Sequence, residues 1–372
     1  MKKVLYITDR VMHYQKETFR ALESGLAARG VELHLLSGED ARRQVGRVGI
    51  REAVVANEQK YRFAEYRVGT YTFRRLSGVA ARIREVRPDV IVNAAHVGNW
   101  THWTIAANKK RWGVKLVSWL CGYEFHPGRM KSLLLGHFIP LYDYHLAYHS
   151  NAREYALQHG ASAGQVTVVH NTINEARIEV MPKDAAHKAV VDRHPEIGAR
   201  KIILFVGAVL AEKRIEVILE ALDIMQRQDA VFVLVGDGEH LPAIRRMCAG
   251  RNDVVITGAI VDGVGPYFDA AEMYVLPGTG GLGINEAMAH GLPIVSGYAD
   301  GSADDLVVDG ENGYRLREGT AQEMAECMAR LLDDPAQAER MGRVSREWIT
   351  GRFAFGAFID RVVNGLAAVA TS

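Results

Sequence analysis

Residues Pro277–Gly297, which spell PGTGGLGINEAMAHGLPIVSG, predict a glycine-rich loop between a strand and a short helix. The apolar run Met273–Leu276 before them is typical of a strand, and the proline and glycines then interrupt regular structure. From Ile284 the apolar residues follow a helical spacing, which ends at Gly291 and Pro293 before another strand-like run. The stretch therefore predicts a strand, a loop, a helix and a strand in succession, as in an α/β sheet.

This arrangement suits a phosphate or a sugar diphosphate. Glycines let backbone N–H groups approach a ligand closely, and the start of a helix adds unpaired N–H groups and a positive dipole end. Glu286 is predicted in the first turn of the helix, where its carboxylate would repel phosphate, so we assign it to the diol of a ribose. The alternative is a tight turn whose Glu only favours the helix N-terminus, and this stretch alone leaves both interpretations open.

The same residues resemble the donor-sugar motif of the retaining GT-B glycosyltransferases of group 1, a family that includes glycogen synthases and many capsule and lipopolysaccharide transferases. In that family a Gly-rich loop leads into a helix with the pattern EAMA.G.PV, and its Glu binds the nucleotide ribose, which implies this role for Glu286. The family usually has a second Glu eight positions earlier. That position is Gly278 here, or Gly280 if the loop is shortened by two. The backbone amides of Gly281, Leu282 and Gly283 would then contact the donor.

Length and composition indicate an ordinary soluble protein of two domains. The chain has 372 residues, with 48% hydrophobic and 24% charged residues, and no run approaches the ~20 apolar residues of a membrane span. The start, MKKVLYITDR, has an apolar run too short for a signal peptide. Cys121, Cys248 and Cys327 are widely spaced, form no metal pattern and favour a reducing cytoplasm.

Charge is distributed unevenly along the chain. Residues 1–172 contain 25 Lys and Arg against 14 Asp and Glu, whereas residues 173–372 contain 20 against 30. A basic half joined to an acidic half suggests that the first half meets something anionic. The alternative is that two oppositely charged domains attract each other.

The first residues predict the opening of a parallel sheet. Lys3–Thr8 is a strand, a helix follows from about Lys16 to Arg29, and Val31–Leu36 is a second strand. No G-x-G-x-x-G follows the first strand, so dinucleotide binding here is unsupported. The loop after the first strand lies where open α/β sheets bind ligands, which makes three of its residues candidates for acceptor binding. They are His13, Tyr14 and Gln15.

The region from Arg42 to Arg75 is rich in arginine and aromatic residues. Such a composition can bind single-stranded nucleic acid or an anionic membrane surface. No RNA-binding motif accompanies it, so we expect no nucleic acid and favour a membrane or a polyanionic acceptor. A solvated face remains an equal alternative.

Two further segments of the first half contribute acceptor candidates. His96 ends the apolar strand Asp89–Ala95, and a later strand ends in WLCGYEFHPG. The latter resembles the W-G-H-G of a subgroup of the same family, in which the His faces the donor sugar, but here Cys121 occupies the His position. Glu124 and His126 are the nearest replacements and could orient an acceptor hydroxyl, or be ordinary loop residues.

The second half repeats the α/β alternation. A strand, Ile202–Val206, precedes a helix with Ile215, Ile218, Leu219 and Leu222 on one face. The family pattern VG.L...K....LL.A matches here, and it implies that Gly207 adjoins the donor and that Lys213 neutralises the departing diphosphate. Ala208 stands where the family often has Arg, and Arg214 is predicted to point elsewhere.

Two later glycine positions complete the implied donor site. The GDG at Gly236 resembles a strand end that keeps room beside the donor. Backbone groups from Gly258 to Ile260 would hold the nucleotide base. Asp304 and Asp305 have no third ligand in sequence, so no metal is expected.

The resemblance implies an α/β chain of the GT-B class, with two Rossmann-like domains facing across a cleft. We predict an acceptor-binding domain at 1–172, a linker at 173–200, a nucleotide-sugar-binding domain at 201–351 and a C-terminal helix at 352–372 that returns to the first domain.

The implied reaction moves a sugar, with retention, from a UDP- or GDP-linked donor to a hydroxyl of a saccharide or lipid-linked saccharide. Neither metal nor cofactor is needed. The chain would act in cell-surface polysaccharide or glycolipid synthesis, in the cytoplasm or peripherally on the inner face of the membrane. The alternatives are a nucleotide-sugar 2-epimerase of the same fold and a non-catalytic GT-B scaffold.

Overall fold

The computed structural model describes residues 1–39, 52–68, 71–121, 129–260, 262–297 and 301–372. The chain forms two compact units. The first contains the described residues up to Asn171 together with Gly356–Ser372, and the second contains Thr172–Phe355.

The first unit is built on a parallel sheet. Its strands are β1 (Lys2–Thr8), β2 (Val31–Gly38), β3 (Glu58–Tyr61), β4 (Phe63–Val68), β5 (Tyr71–Leu76), β6 (Val90–Asn93), β7 (Lys115–Leu120), β8 (Tyr144–Ala147) and β9 (Val166–Val168). Seven of them form the sheet in the order β3-β2-β1-β6-β7-β8-β9, and β4 and β5 form a separate antiparallel hairpin. The direction of strand addition reverses between β1 and β6, which is where ligands bind in open α/β sheets.

Helices cover this sheet because its central strands are apolar on both faces. Val4–Ile7 of β1 and Val90–Val92 of β6 are buried throughout, as expected for parallel strands packed on two sides. The helices are α1 (Lys16–Ala27), α2 (Val79–Val86), α3 (Trp100–Trp112), α4 (Arg129–Phe138) and α5 (Ser150–Gln158). In α4, Leu135 and Phe138 are buried, whereas Leu133 and Leu134 are exposed.

The second unit repeats this plan with a six-stranded parallel sheet. Its strands are β10 (Lys201–Val206), β11 (Ala230–Val235), β12 (Val254–Gly258), β13 (Ala271–Leu276), β14 (Ile294–Ser296) and β15 (Gly313–Arg315). Its helices are α6 (Lys183–Arg193), α7 (Ile215–Met225), α8 (Leu241–Met247), α9 (Gly265–Ala270), α10 (Leu282–Ala289), α11 (Ser302–Leu306), α12 (Ala321–Asp333) and α13 (Pro335–Thr350). The strand order β12-β11-β10-β13-β14-β15 is that of a Rossmann fold. The prediction of two Rossmann-like domains is confirmed.

The core of the second unit lies between β11 and the helices around it. All six residues of β11 are buried. Ile215, Ile218, Leu219 and Leu222 of α7 are buried as their spacing predicts. The predicted strand and helix that flank Pro277–Gly281 are β13 and α10.

The segment 173–200, which we predicted as a linker, contains a packed helix. Ala186 and Val190 of α6 are fully buried in the core of the second unit. Met181 N–H donates to Asp269 Oδ2 at 3.0 Å, and His194 Nε2 is 2.9 Å from the hydroxyl of Tyr267. The polar composition that suggested a linker therefore lies mostly on the solvent face of an ordered element.

The last helix, α14 (Phe355–Thr371), packs within the first unit. Val363 lies against Gly25 of α1, where a Cβ would come within 2.9 Å of its Cγ2. Arg361 donates to the carbonyl of Val169 at 3.1 Å. Among the described residues, Pro335–Thr371 is the one stretch long and apolar enough to cross a membrane, but 44% of its most apolar window is buried. Because core helices of soluble proteins share these properties, this is weak evidence for a span.

We expect Gly236→Ala to destabilise the second unit severely. A Cβ at Gly236 would lie 1.9 Å from the carbonyl oxygen of Gly207, and backbone atoms cannot yield as a flexible side chain can. The free energy of unfolding should fall by more than about 4 kcal/mol, the range of the largest single-residue effects. Thermal and denaturant unfolding measure this.

Gly250→Ala is the matched control. Gly250 also has a positive φ, but no atom lies within 4 Å of its Cβ position, so only the backbone cost of about 1–2 kcal/mol applies. Equal losses in the two variants would contradict the steric account.

Candidate active site

The predicted donor residues gather at the carboxyl edge of the second sheet. β10 and β13 are neighbours at the point where the strand order reverses, and Gly207 and the loop 277–281 follow directly after them. This crevice is the position at which Rossmann folds bind their ligands. The sequence stretch that predicts a phosphate site therefore lies where the topology favours one.

Glycines end three adjacent strands at this edge. Gly207 follows β10, Gly236 follows β11 and Gly258 ends β12. Gly236 N–H donates to the carbonyl of Gly258 at 2.9 Å, and the carbonyl of Gly207 occupies the space that a Gly236 side chain would need. The ends of β10 and β11 can approach each other this closely because Gly236 has no Cβ. Ile260, two residues further on, packs its side chain partly against the core.

The glycine loop after β13 docks on the turn after β10. Residues Ala211–Lys213 form a 3-10 turn, and Thr279 N–H donates to the carbonyl of Glu212 at 2.9 Å. A Cβ at Gly278 would lie 2.1 Å from that same carbonyl oxygen. Position 278 is therefore closed to any side chain on this backbone, including the second Glu that the related family has there.

Lys213 joins the two segments through its side chain. Its Nζ donates to the carbonyl oxygens of Thr279 and Gly280 at 2.6 and 2.8 Å. The same Nζ lies 3.9 Å from the Cβ position of Gly281, the N-cap residue of α10. The ammonium is thus held beside a helix N-terminus, and two sources of positive potential meet at one point. Arg214 points elsewhere, to the carbonyl of Gly319 at 2.9 Å.

No side chain in the described part of the chain caps the N-terminus of α10. Gly281 is its N-cap in an extended conformation, so the N–H groups of Leu282 and Gly283 receive no capping side chain. Gly283 lies over Tyr274, and a Cβ at position 283 would come within 2.4 Å of the Tyr274 hydroxyl. That hydroxyl donates a hydrogen bond to the carbonyl of Val206 at 3.0 Å. Sequence analysis missed Tyr274, because in the run Met273–Leu276 it looks like one more apolar strand residue.

Glu286 lies in the second turn of α10. We predicted the first turn, but the helix begins at Leu282 and has no acidic residue in its first turn. Burial raises the pKa of the Glu286 carboxyl, and the nearby His290 opposes this shift. Burial, reinforced by the charge of Glu286, also raises the pKa of Tyr274. No hydrogen bond from the described residues reaches the Glu286 carboxylate, which leaves its oxygens available to a ligand hydroxyl.

A buried pair fixes the other end of α10. His290 Nδ1 lies 2.6 Å from Asp269 Oδ1, and its ring stacks on Phe268 at 5.0 Å between centroids. Asn285 donates to Thr172 Oγ1 at 3.3 Å. These contacts orient α10 from its far side, so the face that carries Glu286 is set by the packed core.

The acceptor candidates lie at the carboxyl edge of the first sheet. His13, Tyr14 and Gln15 form a 3-10 turn after β1, in which the Gln15 side chain accepts from Met12 N–H at 3.0 Å. His13 and Tyr14 are exposed, with their rings edge to face at 5.4 Å.

The remaining candidates follow β6 and β7. His96 is exposed and accepts from Gly98 N–H at 3.1 Å, whereas Cys121 follows β7 and is partly buried. Glu124 and His126 lie outside the described residues. The described residues contain no group of three or more His, Cys, Asp or Glu side chains that could hold a metal ion.

The two units define the class of protein. Both have parallel Rossmann-like sheets, and solved structures share this arrangement over the whole chain. Anabaena HepE in complex with UDP matches with a TM-score of 0.76 and 16% identity, covering 99% of this chain and 100% of that one. Sucrose-phosphate synthase from Thermosynechococcus elongatus matches with a TM-score of 0.76 and 18% identity, covering both chains completely. These likenesses establish the GT-B fold.

Family models identify the family. The model described as Glycosyltransferase Family 4 matches residues 17–177, and that described as Glycosyl transferases group 1 matches residues 200–334. Together they span most of both units. The chain belongs to the group 1 glycosyltransferases of the GT-B fold.

Curated relatives agree over part of their length. Alpha-D-kanosaminyltransferase from Streptomyces kanamyceticus is 31% identical over 194 residues, which is 49% of this chain and 50% of that protein. GDP-mannose-dependent alpha-(1-6)-phosphatidylinositol monomannoside mannosyltransferase from Mycobacterium tuberculosis is 26% identical over 199 residues, 49% of this chain and 51% of that protein. The chain thus matches about half the length of these relatives.

We expect Glu286→Gln to stabilise the fold at neutral pH. The pKa of the Glu286 carboxyl is higher in the folded state than in the unfolded state. The free energy of unfolding therefore falls as pH rises from the unfolded-state pKa through the folded-state pKa. Below the unfolded value of about 4.3 the side chain is neutral in both states. The variant should therefore melt at a higher temperature than the wild type at pH 7, where the unfolded chain would ionise Glu286. Near pH 4 the difference should vanish.

The exposed Glu311 supplies the control for this pH series. Glu311→Gln should leave the melting temperature within about 1 °C at both pH values, as is usual for surface substitutions. If Glu286→Gln melts below the wild type at pH 7, burial of the ionised Glu286 carboxylate does not destabilise the fold, and this account is wrong.

Proposed function

We propose that this chain transfers a sugar from a nucleotide diphosphate sugar to an acceptor hydroxyl. The observation that carries the proposal is the position of Lys213 Nζ, which lies within hydrogen-bond distance of the Thr279 and Gly280 carbonyls and beside the N-terminus of α10. An ammonium and a helix start on the same crevice form a site for a diphosphate. The family supports the same activity.

The donor is a UDP- or GDP-linked sugar. Its diphosphate lies between Lys213 and the amides of Gly281, Leu282 and Gly283, and its ribose diol donates to the carboxylate of Glu286. The base contacts backbone groups between Gly258 and Ile260, and Gly207 and Gly236 leave room beside it. Support for these two bases comes from proteins with similar chains, a GDP-mannose-dependent mannosyltransferase and a HepE structure with UDP-glucose.

The chemical step breaks the bond between the anomeric carbon and the β-phosphate oxygen, and forms a bond from that carbon to the acceptor oxygen. The acceptor proton passes to the departing phosphate oxygen. Lys213 and the dipole of α10 stabilise the negative charge that develops on the diphosphate, and such stabilisation makes a metal ion unnecessary. Attack from the face that the diphosphate leaves gives retention. Glu124 and His126 orient the acceptor hydroxyl.

The acceptor is a saccharide or a lipid-linked saccharide bound by the first domain, residues 1–172. His13, Tyr14, Gln15, His96 and Cys121 contact it at the carboxyl edge of the first sheet. The excess of basic residues in this part of the chain favours an anionic partner. We therefore assign the protein to cell-surface polysaccharide or glycolipid synthesis, in the cytoplasm and at the inner face of the membrane.

A non-catalytic scaffold is the second candidate, because the loop lacks the family's second Glu and Ala208 replaces its frequent Arg. Calorimetry with UDP and with GDP separates the two, since a scaffold would bind neither nucleotide. A nucleotide-sugar 2-epimerase would convert its donor without any acceptor. A product assay with and without acceptor therefore distinguishes it from a transferase.

We expect Lys213→Ala and Glu286→Ala to impair turnover in different ways. Loss of the ammonium should lower kcat/KM about 10²–10³-fold, because its charge acts mainly on the leaving diphosphate in the transition state. Loss of the carboxylate removes hydrogen bonds to the ribose and should weaken UDP or GDP binding about 10–100-fold. Steady-state kinetics and calorimetry measure the two effects.

Lys188→Ala provides the matched control, since Lys188 is exposed and its one ion pair with a described residue is to Asp192, one turn away on α6. This variant should keep wild-type kinetics. Unchanged turnover in both Lys213→Ala and Glu286→Ala would refute the donor site proposed above.

A further inference from the structure

The first unit contains a large groove that the transfer reaction does not use. It lies between the β4–β5 hairpin, the start of α2 and the start of α3, and its volume is about 1070 Å³. We call it the hairpin groove. Its walls include the aromatic residues Tyr66, Phe73 and Trp100, the arginines Arg75 and Arg84, and the apolar Val79.

The aromatic wall is unusually open to solvent. Trp100 is 65% exposed and Tyr66 is 58% exposed, and Phe73 meets Trp100 edge to face at 6.3 Å. Trp and Tyr combine an apolar body with a polar tip, which suits the boundary between water and lipid. Leaving these rings in water is costly unless a partner covers them.

The groove also has an excess of positive charge. Arg62 and Arg74 line it but pair with acids outside it, namely Glu39 for Arg62, and Asp9 and Glu65 for Arg74. Arg75 and Arg84 have no acidic partner in the described part of the chain, and no Asp or Glu is among the described lining residues. Two uncompensated guanidinium groups therefore favour an anionic ligand.

The first turn of α2 adds to this potential. Its N-cap is Gly78, whose φ of 74° is left-handed, and no side chain of a described residue caps the helix. Gly78, Val79 and Ala80 all line the groove. The unpaired N–H groups of the helix start thus lie on the same cavity as Arg75 and Arg84.

The polar groups of the groove do not suit a saccharide. Thr101 Oγ1 accepts from Leu76 N–H at 2.8 Å, Thr104 Oγ1 donates to the carbonyl of Trp100 at 3.0 Å, and Ser77 Oγ donates to the carbonyl of Arg62. The described lining residues include no carboxylate and no side-chain amide. The Ser77, Thr101 and Thr104 hydroxyls are thus engaged locally, which leaves fewer groups to recognise sugar hydroxyls.

We propose that the hairpin groove binds an anionic phospholipid of a membrane surface. The lipid phosphate lies between Arg75, Arg84 and the first turn of α2, and the glycerol and upper acyl chains lie against Tyr66, Phe73 and Trp100. This inference rests on the membrane location in the proposed function and names the lipid class and the residues that bind it.

Vesicle co-sedimentation of the full chain tests the proposal. Vesicles of pure phosphatidylcholine are compared with vesicles that also contain phosphatidylglycerol, at low and high salt. The wild type should prefer the anionic vesicles, and high salt should weaken this preference. R75Q/R84Q should lower partition into anionic vesicles about tenfold or more at low salt. W100A should lower it at both salt concentrations, because apolar burial is not screened.

K110Q/R111Q is the matched control, since these two exposed basic residues lie at the other end of α3, away from the groove. It removes the same charge and should keep most of the vesicle binding. Equal binding to neutral and anionic vesicles, an equal loss in the control, or no loss in R75Q/R84Q would overturn the proposal. Dextran sulfate, a soluble polyanion, provides a further test. If it displaces K110Q/R111Q and R75Q/R84Q from anionic vesicles equally well, the binding is a general charge effect and the proposal is overturned.

Calorimetry with UDP and GDP on the same variants separates this proposal from the donor site. R75Q/R84Q should bind nucleotide as the wild type does. If the wild type binds neither nucleotide, the transferase function fails while the vesicle result stands. If nucleotide binding persists and vesicle binding fails, only the lipid site is refuted.

Discussion

The bond from the Lys213 ammonium to two carbonyl oxygens of the glycine loop is the interaction on which the candidate site depends. It ties the turn after β10 to the loop after β13, the two strands between which the sheet order reverses. Because these peptide bonds are trans, the N–H groups of Gly280 and Gly281 point away from the ammonium. Both hydrogen bonds are partly buried, so the loop and the lysine side chain restrict each other's position.

The second unit was more predictable from sequence than the first, for a physical reason. In the stretch after Met273, the glycines and proline exclude regular structure, and the helical spacing after Ile284 has one interpretation. The first unit gave weaker signals, since its ligand edge is made of loops in which His13, His96 and Cys121 carry no spacing constraint. The two strands β4 and β5 contain both arginine and aromatic residues, a composition equally typical of a solvated face.

Some of the sequence-based predictions were wrong because tertiary packing overrides local sequence patterns. Polar residues between 173 and 200 predicted a linker, yet two small apolar side chains, Ala186 and Val190, are enough to bury α6. Glu286 was placed one turn too early because the glycines before Ile284 hid the true start of the helix. The burial that raises its pKa cannot be deduced from sequence spacing.

The contact between Tyr274 and Gly283 has a consequence for how such a chain can change over generations. The hydroxyl of Tyr274 occupies the space that a side chain at position 283 would need. The same hydroxyl donates a hydrogen bond to the carbonyl of Val206 on the neighbouring strand. Gly283 is therefore not free to change while Tyr274 is present. A larger residue at 283 would become tolerable only in a lineage that had already lost the phenol, so the two positions should evolve as a coupled pair.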